Sequence, residues 1–146
     1  MHNNRIKVKE INELFRTLTF LKFKNSFNKF KDIGLHPNQF FILNIIYEND
    51  GIKQKELTLL TNRERATITK TLQRLEKSEL INKVNDNDKS SKIYLTKKGK
   101  EIHSKIKKLQ DEELEKLLGV LDNKELEDFS LMLKKLIIHL EGEKTK

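Results

Sequence analysis

Asn62-Arg63-Glu64-Arg65-Ala66-Thr67-Ile68-Thr69-Lys70-Thr71-Leu72-Gln73-Arg74-Leu75 holds three of the chain's five arginines within twelve residues. Ile68, Leu72 and Leu75 recur at i, i+4 and i+7, the spacing that gives a helix one apolar face. The opposite face would carry Ala66, Thr67, Lys70, Gln73 and Arg74. A small residue, a hydroxyl, an amide and fixed positive charge are what a helix needs in a DNA major groove. There, amides and guanidinium groups read base edges and cations meet phosphates. A plain solvated helix face can show the same residues, so the flanking elements have to decide.

Upstream, Thr61-Asn62-Arg63 reads as a tight turn, since asparagine tolerates the left-handed conformation such turns require. A short helix over about Gln54 to Leu60 precedes it, with Leu57 and Leu60 directed inward. Before that, Pro37 sits where a helix begins, and Asn49-Asp50-Gly51 closes it. Phe40, Phe41, Leu43, Ile45, Ile46 and Tyr47 make this helix apolar on most sides, which marks it as the buried centre. A long first helix, about Ile6 to Lys31, stops near Gly34.

Downstream, the arginine-bearing helix extends to about Ser78, and the period then changes from 3.6 to 2. Leu80–Val84 and Lys92–Thr96 read as two strands around a polar tip, Asn85 to Ser91. Thr96 can cap a helix over about Lys97 to Leu118. A last helix starts near Asn123 and presents Leu126, Phe129, Leu133, Leu136, Ile137 and Leu140 with the alternating spacing of a helix-pairing seam.

The 146 residues suggest one domain. A hydrophobic fraction of 36% matched by a charged fraction of 36% leaves a monomer little to bury, so pairing of two chains would supply the missing core. The net charge is +8, and it is unevenly placed. Residues 1–49 carry net +4, residues 50–100 net +6 and residues 101–146 net −2. Positive charge thus peaks around the arginine-bearing helix, as expected for contact with nucleic acid or an anionic surface. The absence of cysteine excludes disulfides and thiolate metal sites, and it fits a reducing compartment. No apolar run approaches the ~18 residues of a membrane span, and Met1-His2-Asn3-Asn4-Arg5 does not resemble a signal peptide. These features lead us to expect a cytoplasmic protein without membrane contact.

The order of helix, helix, short helix, turn, basic helix and two-stranded wing is that of a winged helix-turn-helix. With a long helix before it and two after it, the chain resembles the MarR family of bacterial transcription regulators over nearly its full length. Gln54-Lys55-Glu56-Leu57 and Arg65-Ala66-Thr67-Ile68-Thr69-Lys70-Thr71-Leu72-Gln73-Arg74-Leu75-Glu76-Lys77-Ser78-Glu79-Leu80-Ile81 are similar, without gaps, to that family's pattern through its recognition helix. Leu95-Thr96-Lys97-Lys98-Gly99 matches its Leu-Thr-x-x-Gly after the wing, and Leu35-His36-Pro37-Asn38-Gln39-Phe40 its Leu-Thr-Pro-x-Gln-Phe. There are three departures. Glu64 stands where serine or aspartate is commoner, and Glu79 replaces the usual glycine before the wing. The wing arginine of an Asp-x-Arg tip has no equivalent, so Lys89 and Lys92, or Ser90 and Ser91, would have to serve instead.

The resemblance implies a mainly helical fold of about six helices and a two-stranded wing. Residues 35–100 would form the DNA-binding lobe, with 1–34 and 101–146 forming a dimerisation region. It also implies a homodimeric repressor on a pseudo-palindromic operator in double-stranded DNA, released by a small aromatic effector. Thr67, Thr69 and Lys70 would then face the groove floor beside Ala66, with Arg65 and Gln73 at its edges. Arg63, Arg74 and Lys53, with Gln54 next to it, would lie nearer the backbone. Phe20, Phe23, Phe27 and Tyr47 would line an effector pocket, although aromatics at helical spacing more often form plain core. Ile11, Leu14 and Leu18 would mesh with Leu133, Leu136 and Leu140 of a partner, helped by Leu126 and Phe129. Two rival readings are a repressor without an effector and a helical dimer that binds a protein. We expect neither a cofactor nor a metal, because His36, His103 and His139 are scattered. No catalytic frame is recognisable.

Overall fold

The computed structural model describes residues 2–85 and 91–144. The elements run α1 (His2–Ile33), α2 (Pro37–Glu48), β1 (Ile52–Lys53), α3 (Gln54–Thr61), α4 (Arg65–Lys77), β2 (Ile81–Asn85), β3 (Ser91–Leu95), α5 (Lys97–Leu118) and α6 (Asn123–Lys144). One compact unit ends at Lys107, and a second begins at Lys108. Among the described residues, no helix is long and apolar enough to cross a membrane.

The first unit is built around α2, whose Phe40, Ile42, Leu43 and Ile46 are buried. Around them pack Phe30 of α1, Leu57 of α3, Ile68, Leu72 and Leu75 of α4, Ile93 of β3 and Ile106 of α5. Pro37 occupies the first turn of α2, where a missing N–H costs nothing. His36 caps that turn: its Nδ1 accepts the Asn38 N–H at 3.1 Å, while Gln39 Oε1 accepts the His36 N–H at 3.0 Å. α2 is therefore the centre the sequence indicates, but Phe41 and Tyr47 lie on its open side.

The sheet differs from expectation. It has three strands in the order β1-β3-β2, not the two of a simple wing. The added strand is the pair Ile52–Lys53, held antiparallel to β3 with Ile52 opposite Ile93 and Lys53 opposite Lys92. Two residues are too few to show a period, and their pairing is long-range. Leu60, expected inward, is 63% exposed. In an eight-residue helix only Leu57 reaches the core.

Two junctions fix α4. At its start, Asn62 adopts φ 51° and ψ 34°, the left-handed turn conformation its sequence predicts. At its end, the Glu79 N–H donates to Glu76 O at 2.9 Å and the Leu80 N–H to Leu75 O at 2.9 Å. This is a Schellman cap, in which glycine normally takes the left-handed position. Here Glu79 holds φ 61°. A side chain in that region costs about 1 kcal/mol or more. We expect Glu79→Gly to stabilise the protein by about 1 kcal/mol, read as a higher urea midpoint with an unchanged slope. A lower midpoint would show that the glutamate side chain contributes something the backbone argument omits.

His103 of α5 is the one buried polar or charged side chain among the described residues. Its Nε2 lies 2.8 Å from Asn44 Oδ1, so this nitrogen carries the proton. Its ring stacks on Tyr47 at 4.0 Å and on Phe40 at 5.6 Å. Burial lowers its pKa below the ordinary 6.5, with Glu48 opposing and Lys107 reinforcing the shift. The neutral form therefore belongs to the folded state. The stability this contributes is complete above about pH 6.5 and is lost as pH falls through the lowered value. Melting temperatures of wild type and His103→Gln should converge on acidification from pH 7.5 to 5; parallel curves would contradict this.

Candidate nucleic-acid interface

α4 divides its residues cleanly. Ile68, Leu72 and Leu75 are fully buried, whereas Arg65, Ala66, Thr67, Lys70, Gln73 and Arg74 are exposed. The exposed set forms a continuous polar and cationic strip, with Lys70 at its middle and open to solvent. Glu64 stands at the N-cap with no side-chain capping bond. Its carboxylate still complements the positive end of the helix dipole.

Two residues expected on this surface are engaged within the protein. Gln54 Nε2 donates to Thr69 Oγ1 at 2.7 Å, and Thr69 Oγ1 in turn donates to Arg65 O at 2.9 Å. Both side chains are half-buried. They join the start of α3 to the main chain of α4 at Arg65. A hydrogen bond between residues fifteen positions apart leaves no trace in sequence periodicity. Arg63 is also drawn aside: its guanidinium lies 4.8 Å from the centre of the Phe41 ring, beside Asn38 of α2.

On the sheet, Lys53 and Lys92 face each other. Ser91 Oγ donates to Asn85 Oδ1 at 2.8 Å and closes the base of the hairpin. Lys89 and Ser90 lie outside the described residues.

Of the four aromatics expected to share a pocket, Phe20, Phe23 and Phe27 follow one another along α1 and Tyr47 lies on α2. Phe27 meets Phe23 at 6.3 Å and the edge of His36 at 5.6 Å, whereas Tyr47 stacks on His103. Phe20 and Phe23 flank a shallow apolar depression on α1 with Asn12, Phe15, Arg16 and Thr19. Of the expected seam residues, Ile11, Leu14, Leu18, Phe129, Leu136 and Leu140 are exposed within the single chain, and Leu126 and Leu133 are half-buried.

The pattern of the MarR family matches residues 35–91, from the loop before α2 to the first residue of β3. The HTH-type transcriptional regulator YybA of Bacillus subtilis (strain 168) is 30% identical over 115 residues, 77% of this chain and 77% of that protein. A MarR family protein from Bacillus stearothermophilus shares the fold with a TM-score of 0.83, over 97% of this chain and 98% of its own, at 23% identity. The structure of MepR from Staphylococcus aureus in complex with DNA matches with a TM-score of 0.72 at 25% identity, covering 87% of this chain and 94% of its own. Family pattern, sequence relative and winged-helix fold all agree: the chain belongs to the MarR family of transcription regulators.

Proposed function

We propose that this protein is a homodimeric, sequence-specific DNA-binding repressor that places α4 in the major groove of a pseudo-palindromic operator. The observation that carries this reading is the division of α4, whose apolar stripe is fully used in the core while its cationic strip stays open. MepR, a relative of similar fold, has been seen on DNA. Within the strip, Arg65 is the candidate for a bidentate guanine contact. Thr67, Lys70 and Gln73 face the groove, and Arg74 the backbone. Gln54 and Thr69 position Arg65. Residues 35–100 would form the DNA-binding lobe of a cytoplasmic, non-enzymatic regulator.

Dimerisation is supported by apolar surface that one chain leaves uncovered. Ile11, Leu14 and Leu18 on α1, and Phe129, Leu136 and Leu140 on α6, are exposed. Monomeric soluble proteins rarely leave contiguous apolar surface beyond a few hundred Å². Residues 1–34 and 101–146 would therefore pair with a second copy. A small aromatic effector would need a second wall over Phe20 and Phe23, which within one chain face solvent.

Leu133→Asp tests the dimer. The carboxylate should split the pair in sedimentation equilibrium and lower DNA affinity at least about 100-fold, because two linked half-site contacts become one. A monomeric variant that binds DNA as tightly as wild type would refute the two-lobed reading.

A further inference from the structure

Beside Arg65, α3 presents an apolar side chain that the core does not use. Leu57 is the residue of this helix that is buried, while Leu59 is 73% exposed. Lys55, Thr58 and Leu59 stand at i, i+3 and i+4, so they share one face of the helix. With Gln54 and with Arg65 of α4 they line a single hollow of about 450 Å³. Leu59 therefore borders the same space as the arginine at the start of the α4 strip. A single exposed leucine is ordinary on a protein surface. Its place beside Arg65 sets this one apart.

Two donors in the hollow are already engaged within the protein. Thr58 Oγ1 donates to Gln54 O at 2.9 Å, and Gln54 Nε2 donates to Thr69 Oγ1 at 2.7 Å. With those hydrogens taken, α3 offers the hollow the Leu59 side chain and the Thr58 methyl group. Lys55 and Arg65 add two positive charges, and no carboxylate is among the described residues that line it. A fitting occupant therefore combines an apolar group with negative charge. A thymine in the major groove has that character. Its C5-methyl group projects into the groove, where the other three bases present hydrogen-bonding groups and no methyl, and its strand carries phosphates on either side.

We propose that Leu59 and Thr58 pack on the C5-methyl group of a thymine next to the guanine that Arg65 contacts, so that α3 shares base recognition with α4. The inference rests on the DNA-binding reading above. It adds to that reading a specificity-determining pair outside the α4 strip.

The test removes one methyl group from the DNA and reads binding by fluorescence anisotropy at fixed salt. The probes are a 30-base-pair duplex recovered by selection from random sequence and a scrambled duplex of the same composition. Further copies of the selected duplex carry deoxyuridine in place of one thymine, in one half-site or in both. Deoxyuridine keeps every hydrogen-bonding group of thymine and lacks only the methyl. For wild type, replacement next to the guanine that Arg65→Ala no longer requires should lower affinity about 4-fold in one half-site and about 15-fold in both, which corresponds to ~0.8 kcal/mol per buried methyl group. Leu59→Ala should bind the thymine duplex more weakly than wild type and lose the response to deoxyuridine, because the partner of the methyl group is gone. Its melting should match wild type, since Leu59 lies outside the core. No response to deoxyuridine beside that guanine, or a response that Leu59→Ala retains in full, would overturn the thymine contact while leaving DNA binding intact. Equal binding of the thymine duplex by Leu59→Ala and wild type would overturn it too, and leave this face of α3 to a protein partner. If wild type did not distinguish the selected from the scrambled duplex, the thymine contact and the proposed function would fall together.

Discussion

Gly99→Ala should destabilise the protein severely. A Cβ at Gly99 would run into the Leu80 carbonyl oxygen, well inside any real contact. That oxygen cannot withdraw. It accepts the Thr96 N–H at 3.0 Å, and Leu80 is anchored by its own N–H to Leu75 O at 2.9 Å. Thr96 locks the same corner from the other side: its hydroxyl donates to Glu79 O at 2.6 Å and accepts the Gly99 N–H at 3.0 Å. The seam between the end of α4 and the start of α5 has no slack, so the chain must separate there to admit a methyl group. We expect a loss of about 3 kcal/mol or more, the upper end of overpacking costs. That is a large share of the ~5–15 kcal/mol that holds a domain folded, and it would lower the melting temperature by roughly 10 °C or more. Gly142→Ala, where a Cβ meets nothing within 4 Å, is the control and should melt with wild type. If both variants melted alike, the junction would not be packed as described.

Arg65→Ala should have the largest effect on binding. A bidentate arginine–guanine pair is worth roughly 1–3 kcal/mol of discrimination. A two-fold dimer presents the residue twice, so the loss becomes roughly 2–6 kcal/mol, or about 30-fold to 10⁴-fold in affinity for the selected duplex. The side chain is exposed and outside the core, so helical content and melting should not change. Affinity for scrambled DNA should fall much less, because phosphate contacts dominate there. Lys70→Ala at the centre of the strip should weaken binding in the same direction with unaltered folding. If Arg65→Ala lowered selected and scrambled affinity equally, arginine would be serving as a backbone cation and the base contact would lie elsewhere.

The helical frame was legible because its signals are local. Pro37, Asn62, Thr96 and the two bounds of α5 stand where turn chemistry and periodicity put them. The inward stripe of α4 was equally plain. Features that depend on distant pairing were hidden. β1 consists of two residues made a strand by β3, and the Gln54–Thr69 bond ties together two residues expected at the DNA. Arg63 illustrates the same limit, since its guanidinium is claimed by Phe41 of a different helix. The aromatics were less legible for another reason. Helical spacing gives no information on which neighbour a ring will meet, and Phe27 and Tyr47 settled on different histidines.

The central claim is that two copies of α4 enter successive major grooves of one duplex. Selection of bound sequences from random double-stranded DNA tests it most directly. The account predicts enrichment of two inverted half-sites centred about one helical turn apart, 10–10.5 base pairs, with a guanine in each that Arg65→Ala no longer requires. Recovery of no preferred sequence, or of a single site without two-fold symmetry, would contradict it.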